Sequence, residues 1–149
     1  MTLAIRPAHE EDLGEILRML AAEALRPEDV GPPAPACYLE AFRAMQSDPD
    51  NRVYVAESDG RIAGTFQLTF IRHLMRSGTP VAQIEAVRVE PGLRNRGVGA
   101  RMMRWAIERA RERGCSRVQL TSDKRRGDAH RFYQRLGFAR SHEGFKLAL

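Results

Sequence analysis

A chain of 149 residues with 43% hydrophobic side chains is long enough for one domain with a real core, which argues against disorder. No apolar run approaches the roughly 18–20 residues needed to span a bilayer, and the opening Met1-Thr2-Leu3-Ala4-Ile5-Arg6 lacks the basic-then-apolar order of a secretion signal, so a cytoplasmic location is expected. The net charge of +5 would suit an anionic partner, but acids and bases are well mixed, and only Arg94 with Arg96 and Lys124-Arg125-Arg126 stand out as basic clusters.

Thr2–Arg6 alternates apolar and polar residues and predicts a strand ending at Pro7. Leu13, Ile16, Leu17, Leu20 and Ala24 then share one helical face, and Glu10, Glu11 and Asp12 crowd the first turn, where the helix dipole favours negative charge. Residues 26–36 hold four prolines and a glycine and read as a loop. A short helix is expected over Tyr38–Met45. Strands over Arg52–Ser58, with Val53 and Val55 inward, and over Arg61–Arg72 flank Asp59-Gly60, a type I′ hairpin signal. Ser77–Pro80 reads as a second turn and Val81–Val89 as a further strand. Next come Arg94-Asn95-Arg96-Gly97-Val98-Gly99 and a helix to about Arg113, with Met102, Met103, Ala106, Ile107 and Ala110 on one arc and Gly114 as its C-cap. Val118–Thr121 reads as a strand, Asp128–Leu136 as a helix, and Phe138–Leu149 as a final strand or hairpin.

The order is β-α-α-β-β-β-α-β-α-β, in a single domain over residues 1–149. Tight turns make the first half antiparallel, and the crossover through the central helix makes strands 81–89 and 117–122 parallel neighbours. The expected fold class is α/β, a mixed, mostly antiparallel sheet with helices on both faces. Cys37 and Cys115 lack metal-ligand spacing and read as free thiols, and no metal site is apparent.

The segment Ile84–Gly99 carries the most chemical information. A strand runs through a short loop into a helix whose start holds Arg94-x-x-Gly97-x-Gly99. Glycines let the backbone approach a ligand. Successive N–H groups at a helix start make an anion cradle, and Arg94 and Arg96 add charge, so a pyrophosphate is the natural guest. A bare Gly-x-Gly also fits a tight turn with no ligand, and the spacing matches neither dinucleotide nor P-loop signatures.

Arg94-x-x-Gly97-x-Gly99 after a strand resembles the acetyl-CoA motif of the GNAT superfamily of N-acetyltransferases. Ala129-His130-Arg131-Phe132-Tyr133, followed by Gly137-Phe138, resembles its second signature. The element order and the opening Ile5-Arg6-Pro7-Ala8 agree, so the resemblance covers essentially the whole chain. It implies acetyl-CoA as cosubstrate. It also implies parallel strands that splay around the pantetheine arm, backbone pairing by Val87, Arg88 and Val89, and a pyrophosphate on Arg94, Asn95, Arg96, Gly97, Val98, Gly99 and Ala100. Phe132 belongs to the same cofactor motif. Many members carry Asn where this chain has Arg126, so a contact usually made by an amide falls to a guanidinium or is absent.

The resemblance implies direct attack of an amine on the thioester. Tyr133 stands at the usual general-acid position. A reference pKa of about 10 for tyrosine, against about 8.5 for a thiol, suits donation to a departing thiolate. The alternative is a core aromatic with a satisfied hydroxyl. A backbone N–H near Val89 is the candidate oxyanion donor. Glu85, a carboxylate inside the apolar run Val81–Val89, is the candidate base. It acts directly, through a water, or as an anchor for the substrate ammonium; the alternative is a solvated strand face. Glu90 reads as a loop residue, and His9, His73 and His142 read as surface.

The expected activity is N-acetylation of a small-molecule amine. Ile84-Glu85-x-Val87-x-Val89 resembles the strand of amino-sugar-phosphate acetyltransferases, and the excess of arginine suits a phosphorylated acceptor. The alternatives are a protein N-terminus or lysine as acceptor, or a non-catalytic acyl-CoA-binding module. Nucleic acid is not an expected partner, because no aromatic residues interleave with the basic clusters; nor is a membrane. Members of the family often dimerise, so a homodimer is compatible with the resemblance, but the sequence marks no interface.

Overall fold

The computed structural model describes residues 1–26 and 35–149, so most of the expected 26–36 loop lies outside the described residues. The chain forms two compact units, Met1–Gln119 and Leu120–Leu149.

Five strands, β1 (Ala4–Pro7), β2 (Asn51–Ser58), β3 (Arg61–Ile71), β4 (Val81–Val89) and β5 (Arg117–Leu120), lie side by side in chain order. β1 to β4 are antiparallel, and β5 joins β4 in parallel. The Asp59-Gly60 signal is borne out: φ is 52° at Asp59 and 71° at Gly60, the mirror-image turn that matches strand twist. The 72–80 connection is tighter than a simple turn. Its single turn α3 (Met75–Gly78) winds left-handed, with φ of 53°, 60° and 72° at Arg76, Ser77 and Gly78.

The helices α1 (Leu13–Ala22), α2 (Pro35–Gln46) and α4 (Val98–Glu112) cover the sheet on both faces. Successive strand residues point to opposite sides. Val55 packs with Ala8, Ile16 of α1 and Phe42 of α2, and Val53 joins this cluster. The intervening Tyr54 instead meets Trp105 of α4 at a tilt, at 4.8 Å between ring centroids, and Phe66 of β3 meets the same indole edge-on at 6.0 Å. Met102, Met103, Ala106 and Ala110 are buried on the expected arc, with Ile107 half-buried. Gly64 of β3 lets α4 approach closely, since a Cβ there would stand 2.6 Å from the Met102 sulfur. Gly114 caps α4 as expected, with a φ of 72° while the Cys115 N–H donates to the Ala110 carbonyl at 3.0 Å.

In the second unit, α5 (Gly127–Arg135) closes in a left-handed Gly137, with the Phe138 N–H donating to the Tyr133 carbonyl at 3.1 Å. The final strand expected over Phe138–Leu149 does not form; these residues adopt neither helix nor strand. Alternation supplies a strand with a face but not with a ladder partner, and Phe145, Leu147 and Leu149 stand 93%, 86% and 118% exposed.

The entrance to α1 rests on one ionic knot. The Arg6 guanidinium donates to Asp12 at 2.7 Å and to Glu57 at 2.8 Å, and Asp12 also accepts the His9 backbone N–H at 2.7 Å. Asp12 is buried, and Arg6 above all holds its carboxyl below its ordinary pKa of 3.8, against the opposing effect of burial. A depressed folded-state pKa stabilises the fold above the unfolded value, and that stability is lost as pH falls towards the folded value. Asp12→Asn is expected to cost about 1.5–3 kcal/mol at neutral pH. The deficit should shrink below about pH 4, as read from urea unfolding of both proteins at pH 7 and pH 3.

Candidate active site

The candidate residues of the first unit lie on one continuous strand, loop and helix. β4 begins beside β5: the Ser116 N–H donates to the Pro80 carbonyl at 3.0 Å, and the Gln119 amide donates to Gln83 at 2.9 Å. β5 then ends at Leu120, while β4 runs on to Val89.

Opposite β3, the register of β4 slips by one residue. Glu85 faces Gln67 and Arg88 faces Thr65, so Ala86 and Val87 together oppose Phe66. This is a β-bulge with Ala86 at a φ of 52°. Directly opposed residues share a face. Phe66 and Gly64 face α4, so Thr65 and Gln67 face α1 and α2, and with them Arg88 and Glu85. Glu85 is exposed beside the bulge and makes no ion pair among the described residues. Val87, Arg88 and Val89 are half-buried.

After a short 3-10 turn over Pro91–Leu93, the chain reaches the basic loop. Asn95 and Gly97 adopt φ of 62° and 81°, and Gly97 is the N-cap of α4. A Cβ on Gly97 would meet no protein atom within 4 Å, so the backbone conformation rather than crowding selects glycine here. Val98 is buried at 1% exposure and pins the helix start, while Gly99 and Ala100 are half-buried. No side chain caps this terminus, and its first turn carries no acidic residue. The first-turn N–H groups, which no carbonyl within the helix can satisfy, stand beside the exposed Arg94 and Arg96. These are the features an anionic pyrophosphate requires, and the residues fit it.

Sequence reasoning missed two acidic neighbours. Glu23, the C-cap of α1, pairs with Arg94 and lies 3.6 Å from the Arg88 guanidinium. Glu90, read as a solvated loop residue, pairs with Arg18 of α1 at 2.5 Å. A carboxylate at the negative end of a helix dipole was the available signal for Glu23.

In the second unit, Arg126 is the N-cap of α5; its N–H donates to the Asp123 carbonyl at 3.0 Å. Phe132 and Tyr133 are half-buried with ring centroids 5.1 Å apart, and the Tyr133 ring meets Phe138 edge-on at 5.8 Å. His9 and His142 are exposed as expected. His73 corrects the surface reading: the residue is half-buried and both ring nitrogens are buried, with no hydrogen-bond partner among the described residues.

Comparison with known proteins agrees with this geometry. The family model for the Acetyltransferase (GNAT) family matches residues 15–138. The aminoalkylphosphonate N-acetyltransferase of Salmonella typhimurium is 32% identical over 112 residues, 75% of this chain and 72% of its own. The glucosamine 6-phosphate N-acetyltransferase of Trypanosoma brucei brucei is 31% identical over 145 residues, 95% of this chain and 91% of its own. A solved structure, that of a transcriptional regulator from Bacillus halodurans C-125, superposes with a TM-score of 0.93 at 42% identity, over 99% of this chain and 100% of its own. With a family match running from α1 through the basic loop to the aromatic motif of α5, the chain belongs to the GNAT family of N-acetyltransferases.

Proposed function

We propose that the chain transfers an acetyl group from acetyl-CoA directly to the primary amine of a small molecule that carries a phosphate or phosphonate group. The observation that carries the cofactor half is the uncapped, acid-free start of α4 behind Arg94 and Arg96. The residues that would hold acetyl-CoA are Val87, Arg88 and Val89 through their backbone, Arg94 to Ala100 around the phosphates, and Arg126 and Phe132 by motif. Bound acetyl-CoA supplies a thioester whose carbonyl carbon is open to attack by an amine. The acceptor half is supported by two relatives, whose named substrates, an aminoalkylphosphonate and glucosamine 6-phosphate, each join an amine to an anionic phosphorus group. The excess of Lys and Arg, 24 against 19 acidic residues, favours such an acceptor.

Glu85 takes a proton from the incoming ammonium, directly or through a water. Its exposure beside the bulge supports this role, because the carboxylate is accessible to an incoming amine. The backbone N–H groups around Val89 are assigned to the negative charge that develops on oxygen. The Tyr133 hydroxyl gives a proton to the departing sulfur.

The acceptor reading is tested by CoA release with a panel of amines. Amines bearing phosphate or phosphonate should exceed matched amines without the group by at least about tenfold in kcat/KM, the effect of one charge-assisted contact. Turnover confined to peptides would overturn it.

Glu85→Gln should lower kcat by about 10²-fold or more, with acetyl-CoA affinity nearly intact and a flattened acidic limb in the pH–rate profile. A wild-type rate with an unchanged limb would return Glu85 to a solvated strand position.

Tyr133→Phe keeps the ring and removes the hydroxyl. If Tyr133 donates the proton, kcat should fall, and fall less with donors whose thiol is more acidic, at an unchanged melting temperature. Pre-steady-state kinetics must show that chemistry limits turnover; equal kcat ratios across the donor series would then rule the donation out.

A further inference from the structure

We propose that Glu23 is an internal competitor for the cofactor's phosphates, a carboxylate that pairs with Arg94 and Arg88 and is surrendered by them when acetyl-CoA binds. The inference rests on the cofactor reading above and adds a residue that sets its affinity. Glu23 sits at the C-cap of α1, whose last turn contains no basic residue. An anion there meets the partial negative charge of the helix end and disfavours the fold, so α1 gives no local reason for a carboxylate at this position. Its compensation comes from across the sheet. The bulge at Ala86 turns Arg88 to the α1 side, 3.6 Å from the Glu23 carboxylate, and Arg94, the first residue of the basic loop, pairs with the other oxygen.

Both guanidiniums belong to the stretch that would receive acetyl-CoA. A guanidinium offers one fork, and that fork fits one carboxylate or one phosphate at full strength. Phosphate oxygens arriving at the start of α4 therefore draw Arg94 away from Glu23, and the free energy of breaking the internal pair is subtracted from cofactor affinity. The side chains of Glu23 and Arg88 are only 25% and 18% exposed, so solvent screens this pair less than a surface pair, although Arg94 itself is 45% exposed. Arg18 provides an internal contrast. It ties the same helix to the same loop, but through Glu15 and Glu90, and engages no cation of the cradle.

The test is calorimetry at low ionic strength on the full chain, with acetyl-CoA and, separately, inorganic pyrophosphate as ligands. Glu23→Gln and Glu23→Ala should each bind both ligands about threefold to tenfold more tightly than wild type, somewhat beyond the range of an exposed ion pair. Glu15→Gln, which removes another carboxylate of α1, one that pairs with Arg18, should bind as wild type does. Melting temperatures establish that each variant is folded, and either neutral variant alone decides the outcome. Wild type that binds acetyl-CoA while the folded Glu23 variants bind no tighter, or bind more weakly, overturns this inference alone. Wild type that binds no acetyl-CoA overturns the cofactor reading, and the competitor role with it.

Discussion

Between Glu85 and Arg88, strand β4 fits two residues against the single Phe66 of β3, and Ala86 adopts a left-handed φ of 52° to do so. For a residue with a Cβ that conformation costs roughly 1–2 kcal/mol. It persists because the flanking pairs are firmly held: Phe66, Leu68 and Ile84 are each about 1% exposed. Strict alternation would send Glu85 and Arg88, three positions apart, to opposite faces. The extra residue puts them on the same one. The base candidate, one of the two cations facing Glu23 and the backbone of Val87–Val89 thus owe their common orientation to one strained alanine.

The rest of the first unit serves as a fixed mount for that strand. α4 carries the basic loop at its start and is anchored along its length: Val98, Met102, Met103 and Ala106 are fully buried, and Gly64 lets the helix lie almost against β3. On the opposite face, α1 and α2 share the Val55 cluster, and Arg6, Asp12 and Glu57 lock the entrance to α1. The N–H groups at the start of α4 and the carboxylate at the end of α1 are therefore held by separate halves of the core, and Arg94 and Arg88 link them. An electrostatic contest between carboxylate and phosphate needs such fixed mounts, because a flexible helix end would simply move away.

Local signals were legible in the sequence. Asp59-Gly60 fixed a hairpin because only certain residues tolerate its φ values; Gly114 ended α4 for the same reason, and the apolar arc of α4 showed its buried side. Strand β4 was read to its true ends, and the two motifs carried the family. What the sequence did not display were relations between distant segments. The bulge falls on an alanine, which, unlike glycine or asparagine, gives no hint of a positive φ. Glu23 meets its partners only after the sheet has formed. The tail has a strand's alternation at Phe145, Leu147 and Leu149, yet pairing needs a neighbour that composition cannot supply. His73 reads as a turn residue because nothing in its local sequence signals the burial of its ring nitrogens.

The packing of α4 also has an optical consequence. Trp105 is the only tryptophan in the chain. Its indole packs against the stacked Tyr54 and Phe66 rings, with the Arg109 guanidinium 5.1 Å from the ring centroid. It stands two turns into the helix whose first turn forms the anion cradle. Excited to the red of its three tyrosines, the unlabelled protein therefore emits from one site, quenched or shifted according to how α4 seats on β2 and β3. A single emission band reports the fit between the cofactor helix and the sheet, with no other indole to dilute the signal.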